Sequence, residues 1–162
     1  MSLEKILILV IFCAFWAGCT KQNQEVYIYR DNKAGVMLVI KMANQEITDG
    51  HLVSSFLLCD KPLLCVRSQL FTFGVSAERL DKKEWDIDKY KYRVASVKSG
   101  PQANNKIYTI VGERNGERWE YIYDSTRGLV GMKTHAPNRT VVEFNLETNC
   151  GFAHATECVQ KN

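Results

Sequence analysis

From Glu25 onward, apolar and polar residues alternate with period two far more often than with period 3.6, which predicts strands rather than helices. Val26 and Ile28 alternate with Tyr27 and Tyr29, and Gly35 to Met42 is apolar on both faces, as a central strand would be. Ile47 to Cys59 contains Asp49-Gly50, a signal for a tight turn or bulge, and Leu63–Val75 and Tyr90–Val97 are again rich in strand formers. Ser76 to Trp85 is the best helix candidate, short, with Glu78 near its start and Trp85 as its anchor to a core. The composition of Ser99-Gly100-Pro101-Gln102-Ala103-Asn104-Asn105 predicts a loop.

Asn115-Gly116 is the sharpest local signal. Both residue types tolerate the positive φ of a type I′ turn, whose twist matches paired strands. A two-residue loop sets Arg114 opposite Glu117 and Glu113 opposite Arg118. Outward from there, Gly112 faces Trp119, Ile110 faces Tyr121 and Tyr108 faces Tyr123, all on one side. A ring across from glycine covers bare backbone, and each aromatic cross-strand pair adds about 0.2–1 kcal/mol. Turns at Asp124–Gly128 and Ala136-Pro137-Asn138 lead to strands over Leu129–Thr134 and Thr140–Leu146. The expectation is a mainly β domain, an antiparallel meander curled into a sandwich or partial barrel, with at most one short helix.

Residues 1–18 obey a different rule. A short charged start (Met1 to Lys5) precedes an apolar run from Ile6 to Ala17, then Ala17-Gly18-Cys19. The run falls short of the roughly 20 helical residues needed to cross a bilayer, so a signal h-region is favoured over a spanning anchor. Small residues leading directly into a cysteine resemble the signal peptide of a bacterial lipoprotein. The resemblance implies cleavage before Cys19, palmitate-type acylation of that residue, and a mature chain held at a membrane by lipid. Thr20 follows where Asp would suggest retention at the inner membrane, so the resemblance implies the cell outer membrane, with the domain facing the periplasm. Residues 19–24 are then the lipidated cysteine and a polar tether, and 25–162 are one domain. Five extended residues, Thr20 to Gln24, reach only about 17 Å, so the domain must sit close to the membrane.

Size and charge narrow the function. The mature length suits one domain with its own core. A formal charge of +3 in a chain with 24% charged residues implies no polyanionic partner, and nucleic acid is not expected. Lys89-Tyr90-Lys91-Tyr92-Arg93 places three cations on one side of a strand and two tyrosines on the other, which reads as a solvated outer face.

Cysteines point to the same compartment. With Cys13 in the signal and Cys19 acylated, Cys59, Cys65, Cys150 and Cys158 remain. An even number in an exported chain predicts two disulfides. Three pairings exist. The local one, Cys59–Cys65 with Cys150–Cys158, is favoured, Pro62 supplying a turn in the first loop; each short loop contributes roughly 2–3 kcal/mol. The spacings C-x5-C and C-x7-C differ from the tight pairs of zinc sites, so no metal is expected. His51, His135 and His154 are scattered, no Gly-x-Ser-x-Gly surrounds Ser54 or Ser55, and no cofactor or catalytic residue is predicted.

The expectation is therefore a non-enzymatic lipoprotein whose β domain binds an envelope protein, as an assembly accessory, inhibitor or immunity factor. The alternative is a carrier whose aromatic face (Tyr108, Trp119, Tyr121, Tyr123) holds a hydrophobic or glycan ligand; the same face also reads as core. Labelling cells with a palmitate analogue is expected to mark the wild-type protein and leave Cys19→Ser unmarked, whereas a labelled Cys19→Ser protein would put the lipid elsewhere.

Overall fold

The computed structural model describes residues 25–60, 63–69, 71–76, 80, 84–135 and 141–159, and every regular element among them is a β-strand. Residues 1–24, where the signal, Cys19 and the tether are expected, Pro62, and the turn expected at Ala136-Pro137-Asn138 lie outside the described residues.

Four short strands come first: β1 (Val26–Asp31), β2 (Met37–Lys41), β3 (Glu46–Asp49) and β4 (Leu52–Ser55). Three more follow, β5 (Leu57–Leu58), β6 (Leu63–Arg67) and β7 (Thr72–Ser76). The rest of the chain forms β8 (Glu84–Ile87), β9 (Tyr90–Ser99), β10 (Lys106–Arg114), β11 (Glu117–Asp124), β12 (Gly128–His135) and β13 (Glu143–Leu146). Ten strands make one antiparallel sheet in the order β4-β3-β2-β1-β13-β12-β11-β10-β9-β8, and β5-β6-β7 make a second. Two meanders are thus sewn together where the last strand returns to the first, with Tyr29 opposite Leu146 and Asp31 opposite Phe144. The large sheet stays open, its edges being β4 and β8.

The hairpin register follows the turn chemistry. Asn115 and Gly116 both have positive φ, 51° and 83°, and the pairs run Arg114–Glu117, Glu113–Arg118, Gly112–Trp119, Ile110–Tyr121 and Tyr108–Tyr123. Asp49-Gly50 proves to be a hairpin turn, joining Asp49 to its partner Leu52. The helix expected over Ser76–Trp85 is not formed at either end: Ser76 closes β7, and Glu84 and Trp85 open β8. Trp85 does anchor its segment to the core, but as one of two inward residues, with Ile87, of a strand that alternates exposed and buried.

Two register shifts curl the large sheet. One lies between Thr109 and Ile110 against β9, the other between Ile122 and Tyr123 against β12. An extra residue on one strand of a pair bends it and deepens the local twist. The sheet therefore has a concave side, and the small sheet packs into it. Phe73 of β7 meets Tyr121 at 4.8 Å between ring centres and Phe152 at 6.4 Å. The segment after β13 fills the rest. Leu129 N–H donates to Phe152 O at 2.9 Å, and Gly151 N–H to Arg127 O at 2.7 Å. The buried Tyr29 hydroxyl donates to Leu129 O and accepts from Phe152 N–H, both at 3.0 Å. A Cβ on Gly151 would run into Leu129 O, so only glycine lets the segment lie this close.

Gly112 has a similar role with a different cover. A Cβ there would sit 2.7 Å from Tyr92 Cε1 and 3.2 Å from Tyr121 Cε2, so these rings, more than that of the facing Trp119, occupy the space. Gly112→Ala is expected to destabilise by about 1–3 kcal/mol, because two packed rings must shift. Gly116→Ala meets no neighbour within 4 Å and is expected to cost only about 1 kcal/mol, from its positive φ. Urea-unfolding midpoints of the two variants measure both; equal, small shifts would show that the rings are not seated on Gly112.

Candidate interaction surface

The aromatic face predicted from the hairpin exists and is occupied. Tyr108, Tyr121 and Tyr123 are buried, and Trp119 is half-buried, stacked on Tyr121 at 6.1 Å and tilted against Phe71 at 6.3 Å. What covers them is β7. The Thr72 carbonyl accepts from both the Tyr121 hydroxyl (2.7 Å) and the Tyr92 hydroxyl (2.8 Å). The Gly74 carbonyl accepts from Trp85 Nε1 at 3.1 Å. These carbonyls lie on the side of β7 that pairs with no further strand, and aromatic donors of the large sheet replace the missing partner. The four residues form core, not an open groove.

Both local cysteine pairs are disulfides. Cys59–Cys65 ties the residue after β5 to β6 with a Cα separation of 5.3 Å, and Cys150–Cys158 closes a loop in the segment after β13 with 5.9 Å. The three histidines lie on separate segments of the fold. His51 lies in the β3–β4 turn, His135 ends β12 with Nε2 3.9 Å from Glu120, and His154 lies between the second pair of cysteines. The strand Tyr90–Arg93 reads as expected, with Tyr90 and Tyr92 buried and Lys91 and Arg93 exposed. Its cations belong to a mixed lattice on the convex face: Arg93 is 3.8 Å from Glu113, and Lys133 is 4.0 Å from Glu143. A shallow cleft beside the Asn115-Gly116 turn is lined by Lys89, Lys91, Glu113, Arg114, Glu117 and Arg118, both signs interleaved. Exposed pairs of this kind contribute little energy and define no ligand charge.

The unusual surface lies at the sheet edges, which sequence periodicity did not single out. An open edge is a template for another strand, and proteins blunt it with charge, proline or cover. β8 carries the exposed carboxylates Glu84 and Asp86. β7 is capped by tyrosine and tryptophan. Among the described residues, β4 and β5 carry no charge, proline or cover of this kind. Leu52 and Val53 of β4 are 64% and 65% exposed, Leu57 of β5 is 62% exposed, and Leu58 and Leu64 are exposed beside it. In register, Leu52 and Val53 project from opposite faces of β4, and no strand among the described residues pairs with the outer side of β4 or β5. Phe56, between the two strands, is buried and its N–H donates to Gln45 O at 2.9 Å, which fixes both edges to the same corner of the domain.

Compared with known proteins, the chain matches no family, no curated protein and no solved structure.

Burial raises the pKa of the Tyr27, Tyr29, Tyr92 and Tyr121 hydroxyls far above 10.0 and that of Tyr123 to about 12. Each is neutral when protonated, so the unfolded chain loses these protons first. Their contribution is complete below pH 10.0 and is lost as pH rises above it. Alkaline titration is expected to show these tyrosines ionising together with loss of structure. Smooth ionisation near pH 10.0 in the folded protein would show that the face is open to water.

Proposed function

We propose that the protein is a lipid-anchored component of the bacterial outer membrane, facing the periplasm, whose β domain binds another envelope protein and performs no catalysis. The observation that carries this reading is the pair of apolar edges, β4 and β5, uncovered among the described residues, while the other two edges are charged or capped. Strand addition is the mode that suits them. An extended segment of the partner lies along β4, its backbone completes the edge, and its apolar side chains meet Leu52 on one face and Val53 on the other. The anchor at Cys19 rests on the Ala17-Gly18-Cys19 pattern, and the two disulfides suit an oxidising compartment. An accessory, inhibitory or immunity role is compatible with such a surface. The carrier alternative has less support, because a ligand on Tyr108, Tyr121 and Tyr123 would have to displace the small sheet and the hydrogen bonds that hold it.

Photo-crosslinking residues placed at Val53 and Leu57 in the lipidated protein are expected to capture a defined envelope protein, while the same probe at Asp86 on β8 captures none. Val53→Lys with Leu57→Lys is expected to abolish recovery of that partner and to leave folding stability within about 0.5 kcal/mol of wild type, since both positions are exposed. Adducts at Asp86 alone, or no adduct anywhere, would refute the edge assignment.

A further inference from the structure

We propose that Cys150, His154 and Cys158 form a second, redox-gated site: a disulfide in its oxidised state and, once reduced, a binding site for a thiophilic metal ion such as Zn2+. The two sulfurs and a ring nitrogen of His154 all lie within 4.8 Å of one another. Around a tetrahedral zinc, such atoms sit about 3.5–3.8 Å apart, so side-chain rotation alone closes the gap after the Sγ–Sγ bond is cut. His154 Nδ1 is 2.7 Å from the Ala155 carbonyl, which can only accept, so Nδ1 carries the proton and Nε2 keeps a lone pair. Donation of one ring N–H to a backbone carbonyl is the arrangement that fixes metal-binding histidines. An edge contact with Tyr27, at 6.0 Å and 67°, also limits the ring.

The segment is held by more than its disulfide. Gly151 N–H donates to Arg127 O, Ala155 N–H to Thr126 O, and Cys158 N–H to Ala155 O, at 2.7, 3.0 and 3.0 Å. The Tyr123 hydroxyl donates to Ala153 O at 3.0 Å. Phe152, buried among Tyr27 and Phe73, pins the middle. All three donors therefore stay on a preorganised loop when the bond opens. The other pair, Cys59–Cys65, joins no such three-donor group among the described residues.

The chemistry balances simply. A dithiol reductant gives two electrons and two protons to the Sγ–Sγ bond and leaves as its own disulfide. Each thiol then loses its proton to solvent as the ion binds, and His154 binds as the neutral imidazole. Three protein donors leave one position of a tetrahedral ion for water.

The test uses the full chain in detergent, reduced with a phosphine and titrated with Zn2+ against a chromophoric chelator, and with Co2+ for its thiolate charge-transfer band. The reduced protein is expected to bind one ion per chain with that band, and the oxidised protein none. His154→Ala is expected to weaken binding by about tenfold or more. Cys158→Ser should abolish it, while Cys59→Ser with Cys65→Ser, which removes the other two thiols, should retain it. Oxidised His154→Ala should unfold at the wild-type midpoint, which separates lost ligation from lost structure. Absence of binding after reduction, equal binding by the oxidised protein, or binding indifferent to His154 and Cys158 would overturn the proposal. None of these results depends on how the edges of β4 and β5 are used.

Discussion

A ten-stranded sheet that curls without closing has a concave side wider than its own side chains can fill, and the whole structure follows from how that space is filled. Here the filler is backbone as well as side chain. β7 lies across the aromatic floor, and its outward carbonyls would be buried without partners, at a cost of about 1–3 kcal/mol each. Tyr92, Tyr121 and Trp85 supply the missing donors. The Thr72 carbonyl takes two hydroxyls, which uses both of its lone pairs. Apolar packing makes the two sheets adhere, while these three hydrogen bonds determine where the small sheet sits.

The same constraint accounts for the choice of aromatic residue. Phenylalanine would give the floor as much apolar area but leave the β7 edge unsatisfied. Tyrosine provides the area and a polar tip, and burial holds that tip protonated, in the form that can donate. Tyr29 does for the C-terminal segment what Tyr92 and Tyr121 do for β7, with one hydroxyl serving both a carbonyl and an N–H.

Local order was legible in the sequence to the residue where turn chemistry dictated it. Asn115-Gly116 fixed the register from Arg114–Glu117 out to Tyr108–Tyr123, and the cysteine spacings favoured the two local disulfides. Ser76–Trp85 was misread because its mixed polar and apolar residues fit a short amphipathic turn as well as the ends of two strands. Periodicity also cannot say which sheet a strand joins. Leu63–Val75 reads as β-rich, yet nothing in its pattern sends it across the concave face. The candidate docking edges were hidden for a related reason. Leu52, Val53, Leu57 and Leu58 look like core residues, and their exposure arises only because β4 and β5 end their sheets, a property of topology rather than of any short stretch of chain. The Cys150, His154 and Cys158 group needed the fold as well, since spacing alone spoke against a metal.

The pairing of β1 with β13 sets a timetable. These strands are among the most distant in sequence, and Tyr29 and Phe152, bonded through one hydroxyl, are 123 residues apart. Closing a loop of that length comes late, after the local hairpins have formed. Until the final residues have emerged, the two meanders have no common sheet and the concave side has no complete floor. A chain made from its N-terminus therefore presents β1 early and leaves its β13 side unpaired longest.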